Sequence, residues 1–162
     1  MNYVNSSTCL FFVFLSFNCI VIGQSNQVHL NLEKDKLAVA GYDVIEYYNH
    51  APTKGNSTFE STYQGGKYHF SSLRNKLLFE ENPNKYLPQY GGWCAFAMGY
   101  NGKKVAVDPE SYTVEKGKLY LFYKSFFNDT KVKWIEKTAA LKQSADWNWN
   151  DFLKPQKHEN KN

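Results

Sequence analysis

Among side chains able to do covalent or metal chemistry, Cys94 has the most distinctive setting, Gln89-Tyr90-Gly91-Gly92-Trp93-Cys94-Ala95. Two glycines let the backbone turn sharply into a helix. A thiol in a first helical turn faces unpaired N–H groups and the positive end of the helix dipole, and both favour thiolate. Such a cysteine can act as a nucleophile, a redox thiol or a soft-metal ligand; equally, a lone cysteine often only fills core space. Cysteine and histidine are preferred ligands for copper(I) and zinc. Met98 follows Cys94 by four residues, so on a helix the thiol and thioether share one face and could together hold copper(I); packing in the core is the competing role. His69 lies between Tyr68 and Phe70 on an expected strand, pointing away from their face. It completes a ligand pair with Cys94, or favours its thiolate, only if the fold joins that strand to the glycine turn. His29 and His158 fall in polar terminal segments, and His50 reads as a turn residue.

Other chemistries lack their motifs. There is no GxSxG, HExxH, phosphate loop or dinucleotide fingerprint. Asp43, Glu46, Asp108 and Glu110 are the notable acids, but spacing alone does not say which of them face one another, and Asp108-Pro109-Glu110 has turn chemistry. The chain has 19 basic and 15 acidic side chains, a net charge of +4, and no basic run longer than Lys103-Lys104. Charge so small and scattered argues against nucleic-acid binding. Twelve Tyr, 12 Phe and 4 Trp allow an exposed stacking platform for a sugar or apolar ligand, with Trp147 and Trp149 as its candidates.

The elements that must position these residues follow from patterning. Residues 1–23 carry no Asp, Glu, Lys or Arg and contain the apolar run Cys9 to Gly23, which reads as a signal peptide. The protein is therefore expected to be exported, periplasmic or secreted, and not an integral membrane protein unless the leader is retained. Cys9 and Cys19 leave with the leader, so Cys94 has no partner for an intramolecular disulfide. Residues 24–36 form a polar lead-in, 37–153 the folded domain and 154–162 a disordered tail, with no internal repeat evident. TFESTYQGGKYHF and SYTVEKGKLYLFY read as hairpins turning at Gly65-Gly66 and near Gly117. Val44 to Tyr48 and Lys103 to Val107 are expected to be extended. A helix capped by Ser71 or Ser72 carries Leu73, Leu77 and Leu78. A second starts at Gly91-Gly92 and stops at Gly99, and a third displays Phe127, Trp134 and Leu141 at seven-residue spacing. The sum is a small single α+β domain of antiparallel hairpins and several short helices.

The succession Val39-Ala40-Gly41-Tyr42-Asp43-Val44, Tyr68-His69-Phe70-Ser71-Ser72, Asn82-Pro83-Asn84-Lys85-Tyr86, Pro88-Gln89-Tyr90-Gly91-Gly92-Trp93-Cys94-Ala95, Asp108-Pro109, Gly117-Lys118-Leu119-Tyr120-Leu121 and Ala145-Asp146-Trp147 resembles the exported YHS-domain family. The resembling subgroup includes selenoproteins, with selenocysteine at the position of Cys94. Metal handling is what the resemblance implies, although metal-transport relatives carry Phe-Cys-Ser where this chain has Phe70-Ser71-Ser72. On this reading the chain is an extracytoplasmic binding module using Cys94, with His69 or Met98, to hold copper or zinc or to exchange with a partner thiol. Two alternatives stand beside it: a thiol-dependent oxidoreductase, and a structural or small-ligand-binding module with a buried, inert Cys94.

Overall fold

The computed structural model describes residues 29–154, and the expected leader, the start of the lead-in and most of the tail lie outside the described residues. Two hairpins, each of eight- and five-residue strands, dominate: β1 (Asn56–Tyr63) with β2 (Gly66–Phe70), and β3 (Asp108–Glu115) with β4 (Lys118–Phe122). A third, minimal hairpin pairs β5 (Lys124–Ser125) with β6 (Asn128–Asp129). Between and after them come α1 (Leu73–Glu81), α2 (Pro83–Tyr86), α3 (Ala95–Asn101), α4 (Thr130–Glu136) and α5 (Thr138–Phe152). Three two-stranded antiparallel sheets with five α-helices make this a mixed α+β domain, as expected.

The two large hairpins turn on residue pairs in the left-handed region, Gln64 and Gly65 (φ 48° and 81°) and Lys116 and Gly117 (φ 50° and 72°). Turns with both central residues at positive φ match the right-handed twist of the flanking strands. The first turn falls one residue earlier than expected. Gly66 is a strand residue, and the Leu30 and Leu32 side chains stand 3.1 and 3.2 Å from where its Cβ would be.

The hairpins are two copies of one unit, contrary to the expectation of no internal repeat. In each, the register slips between the first pair and the next: Asn56 faces Phe70 and Glu60 faces His69, then 52 residues on Asp108 faces Phe122 and Tyr112 faces Leu121. Upstream of each hairpin lies a run of three left-handed residues, Val39, Ala40 and Gly41 (φ 53°, 50°, 77°), and 51 residues on Tyr90, Gly91 and Gly92 (φ 55°, 62°, 82°). A single parallel bridge then lays the upstream segment along the inner strand in each copy, Leu37 with Lys67 and Pro88 with Leu119. Asp108-Pro109-Glu110, expected as a turn, is the irregular start of β3. A proline fits there because a bulge relieves it of its ladder hydrogen bond.

Strand β4 is the shared wall of the two copies. Its alternation sends Leu119 and Leu121 into a core with Val44, Tyr47, Tyr68, Phe70 and Phe79, and Tyr120 and Phe122 into a second core with Tyr90, Met98 and Trp134. Strand β2 has only one buried face, occupied by Tyr68 and Phe70. Tyr47 links the copies directly, donating its hydroxyl to the Pro109 carbonyl at 2.9 Å and meeting Tyr112 edge-on at 5.0 Å.

Several elements depart from their sequence pattern for local reasons. Residues 44–48, expected to be extended, form a turn and a 3-10 helix (Glu46–Asn49), because Asp43 Oδ1 accepts the Ile45 N–H at 2.9 Å and folds the chain back. Residues 103–107 lie outside any strand. Helix α1 is capped by Ser72 as expected, but Leu73 and Leu77 are exposed and the buried positions are Asn75 and Phe79. The seven-residue apolar series is broken between two helices: Trp134 and Leu141 are buried, while Phe127 stands on the third hairpin. Helix α3 runs past Gly99 to a left-handed C-cap at Gly102. Gly99 instead marks the close approach of α3 and α5, where an added Cβ would lie 2.4 Å from the Leu141 carbonyl oxygen. Residues 29–36, expected as lead-in, are tied to the body: Asn31 N donates to Gly91 O, and Trp93 Nε1 to His29 O.

Gly99→Ala is expected to destabilise the protein by about 2 kcal/mol or more through forced separation of α3 and α5. Urea denaturation monitored by tryptophan fluorescence checks this.

Candidate functional site

The residue following each left-handed run and its aromatic neighbour is wholly buried: Asp43 in the first copy, Cys94 in the second, both at zero exposure. Their main chains are held identically, Asp43 N donating to Thr53 O and Cys94 N to Val105 O, each at 2.9 Å. Their side chains then accept the backbone N–H of the residue just beyond the hairpin, Ser71 N to Asp43 Oδ2 at 2.7 Å and Tyr123 N to Cys94 Sγ at 3.3 Å. Each also meets the helix that follows, through Asn75 of α1 (2.8 Å to Asp43 Oδ2) or Thr130 of α4 (3.4 Å to Cys94 Sγ). Asp43 and Cys94 are thus equivalent staples joining turn, hairpin and helix.

The two staples differ in chemistry. Asp43 accepts from Ile45 N, Ser71 N, Ser71 Oγ and Asn75 Nδ2, enough donors to satisfy a buried carboxylate without a cation. Glu46 stands at the rim of this network, taking Asn75 Nδ2 at 2.6 Å and Asn49 Nδ2 at 3.0 Å. The hydrogen bonds from Asn49 and then Asn75 hold its carboxyl below the usual carboxylate range. At Cys94 the proton can be placed by counting. The Thr130 hydroxyl gives its one hydrogen to Tyr123 O at 2.8 Å, so the thiol must be the donor in its contact with Thr130. Cys94 stands at the N-cap position of α3, its side chain turned to Tyr123 and Thr130 rather than to the helix N–H groups, and not in the first helical turn.

No side chain of the other anticipated site residues hydrogen-bonds the Cys94 sulfur. His69 belongs to the first copy, on the outer face of β2, where its Nε2 lies 3.1 Å from Glu60 Oε2. Met98 is fully buried in the second core, beside Tyr120, Phe122 and Trp134. Among the described residues no group of three or more His, Cys, Asp or Glu side chains is placed to hold a metal ion. The hydrogen-bond partners of the sulfur are an amide N–H and a hydroxyl, neither of them a soft-metal ligand. His29 is not merely solvated: its Nδ1 lies 2.6 Å from Lys104 Nζ and its ring packs against Trp149 and Phe152.

A separate concavity of about 500 Å³ opens between α3 and α5, lined by Tyr100, Asn101, Gln143, Ser144, Trp147 and Asn148. Tyr100 and Trp147 are 70% and 68% exposed, and no charged residue lines the cleft. Tyr100 is stiffened by stacking on Phe96, with centroids 5.4 Å apart and planes 10° from parallel. Trp147 fits the anticipated stacking role. Trp149, its companion in sequence, packs instead near Tyr90 and Phe152. Neither Thr130 as the partner of Cys94 nor Asn75 as the partner of Asp43 had a sequence signal, because each lies more than 30 residues from the side chain it meets.

Fold and site together define a small α+β domain of two stapled units with an open aromatic cleft at one side. Residues 44–90 match the family model for the YHS domain, and the chain contains a YHS domain there, a module associated with metal binding. The match begins immediately after the Asp43 staple and ends at Tyr90, and so covers the hairpin and helix of the first unit, without its left-handed run and staple, and the approach to the second. No curated protein and no solved structure matches the chain.

Asp43→Ala strands several buried donors and is expected to cost about 3 kcal/mol or more, against about 1–3 kcal/mol for Cys94→Ala, which strands the Tyr123 N–H. Paired urea titrations check the ranking. Because the folded state depresses the Glu46 pKa from its ordinary value of 4.5, its contribution is present above that value and lost as pH falls through the lower folded one. Glu46→Gln should therefore flatten the acid limb of a stability profile measured from pH 7 downward.

Proposed function

We propose that this chain is an exported, YHS-type small-ligand-binding module in which Cys94 is a packed structural thiol and the α3–α5 cleft is the ligand surface. The observation that carries this reading is the equivalence of Cys94 with Asp43: the sulfur occupies a staple position, at zero exposure, with both of its hydrogen bonds spent on holding the fold. Soft-metal binding or thiol exchange through Cys94 would require the sulfur to leave the Tyr123 amide and reach solvent, which amounts to opening the second unit. The charge-free leader sequence supports export.

The cleft supports the ligand assignment. Two exposed rings flanked by amide and hydroxyl side chains suit a neutral molecule with one apolar face and several hydroxyls, of which a sugar ring is the type. Charged ligands find no counter-charge in the lining.

Three measurements test this. Labelling of Cys94 by a thiol reagent should proceed only at the unfolding rate, and should accelerate in step with urea across the unfolding transition. Rapid labelling of the folded protein would overturn the structural reading, and protection by copper(I) or zinc would return the site to metal. For the cleft, titration with neutral oligosaccharides should shift tryptophan emission with a response lost at least tenfold in Trp147→Ala and Tyr100→Ala. A zinc- or copper-dependent rise in melting temperature abolished by His69→Ala would move the binding function to the His69–Glu60 pair.

A further inference from the structure

Half of the exposed large apolar side chains among the described residues lie between Tyr123 and Ile135: Tyr123, Phe126, Phe127, Val132 and Ile135. Phe126 and Phe127 are extreme, each 93% exposed. They form the whole two-residue tip between β5 and β6, their rings edge-to-face with centroids 4.7 Å apart. Val132 and Ile135, three residues apart on α4, carry the apolar surface onto the adjoining helix, at 55% and 62% exposure. Turn tips ordinarily take Gly, Asn, Asp or Ser, and contiguous exposed apolar surface marks an interaction site.

The charge around the tip says what it meets. Lys124, Lys131, Lys133 and Lys137 lie within or beside this segment, and none of them is in a salt bridge among the described residues. Of the two acids within or beside this segment in sequence, Asp129 is engaged inwards by Ser111 Oγ and the Lys131 N–H, leaving Glu136 exposed; Glu110 of the adjoining β3 takes the Tyr42 hydroxyl. The result is a protruding aromatic pair set in a positive surround.

We propose that the β5–β6 tip is a membrane-docking element, inserting Phe126 and Phe127 at the headgroup boundary of an anionic lipid surface while the lysines bind the headgroups. A two-residue tip is too narrow to build a protein interface by itself, but a fluid bilayer needs no preformed cavity to receive it. Aromatic side chains lying on apolar chains with lysines at headgroup level is the arrangement of interfacial anchors. Each lysine near an anionic surface contributes about fivefold in affinity.

The full chain carrying Phe127→Trp places a reporter at the tip. Vesicles of phosphatidylcholine containing about a third phosphatidylserine, with brominated acyl chains, should quench this variant more than the wild type, whose four tryptophans lie elsewhere. Quenching should weaken in pure phosphatidylcholine and at high salt. Phe126→Ser with Phe127→Ser should lower co-flotation with the anionic vesicles at least tenfold, and Lys124→Glu with Lys133→Glu likewise. Equal quenching of wild type and Phe127→Trp overturns the proposal, even if the apolar run at Cys9 to Gly23 holds the full chain on the vesicles. A change of sedimenting mass in the double Phe variant, without a change in vesicle binding, overturns it in favour of contact between copies of the chain.

Discussion

The structure depends on one recurring interaction, a wholly buried side-chain acceptor that catches the backbone N–H of the residue leaving a hairpin. Asp43 does this for Ser71 and Cys94 for Tyr123. An isolated two-stranded hairpin is marginal in water and needs packing on a helix or further strands. The staple supplies the geometry for that packing, since the same side chain also meets the following helix through Asn75 or Thr130. Three consecutive left-handed residues deliver the staple into place, and their conformation is costly wherever the residue is not glycine. The second unit uses glycine at two of those three positions, the first at only one. Val39 is β-branched, and its positive φ persists because the surrounding contacts over-determine it.

The two copies have been put to different use of burial. Strand β4 is covered on both faces and feeds two cores; β2 is covered on one, leaving Lys67 and His69 outside to pair with Glu60. A carboxylate in the first copy recruits four donors and organises a polar network reaching Glu46 and Asn49. A thiol in the second accepts one N–H and donates one proton. The softer group suits a site whose hydrogen-bond partners are one amide and one hydroxyl, because a sulfhydryl costs less to bury than a charge. That Ser71 rather than cysteine stands beside Asp43 follows the same logic: a hydroxyl gives its one hydrogen to Asp43 at 2.8 Å while its oxygen accepts from Asn75 Nδ2 at 3.1 Å.

Exposed aromatic surface lies away from the staples, in two other places. One is the cleft where Gly99 lets α3 and α5 approach, with Tyr100 and Trp147 on its walls. The other is the short hairpin inserted between β4 and α4, which has no counterpart after β2. Both are features of the second copy and its C-terminal helices, outside the segment matched by the YHS model.

Sequence alone determined the two large hairpins, a cap at Ser71 or Ser72, and the division of β2 into an inner face of Tyr68 and Phe70 and an outer face holding His69. These are local consequences of alternation and turn chemistry, which act over a few residues. It singled out Cys94 but could not say what surrounds it, because its hydrogen-bond partners Tyr123 and Thr130 lie far along the chain. The repeat was equally hidden. Its units share backbone conformation more than residue type, with Asp43 matched to Cys94, Val39 to Tyr90 and His69 to Leu121, and only tertiary structure shows that different side chains satisfy the same N–H. The seven-residue apolar series misled for a related reason. Trp134 and Leu141 face the core, but the chain breaks between them, and Phe127 falls on a tip that only the fold could aim at solvent.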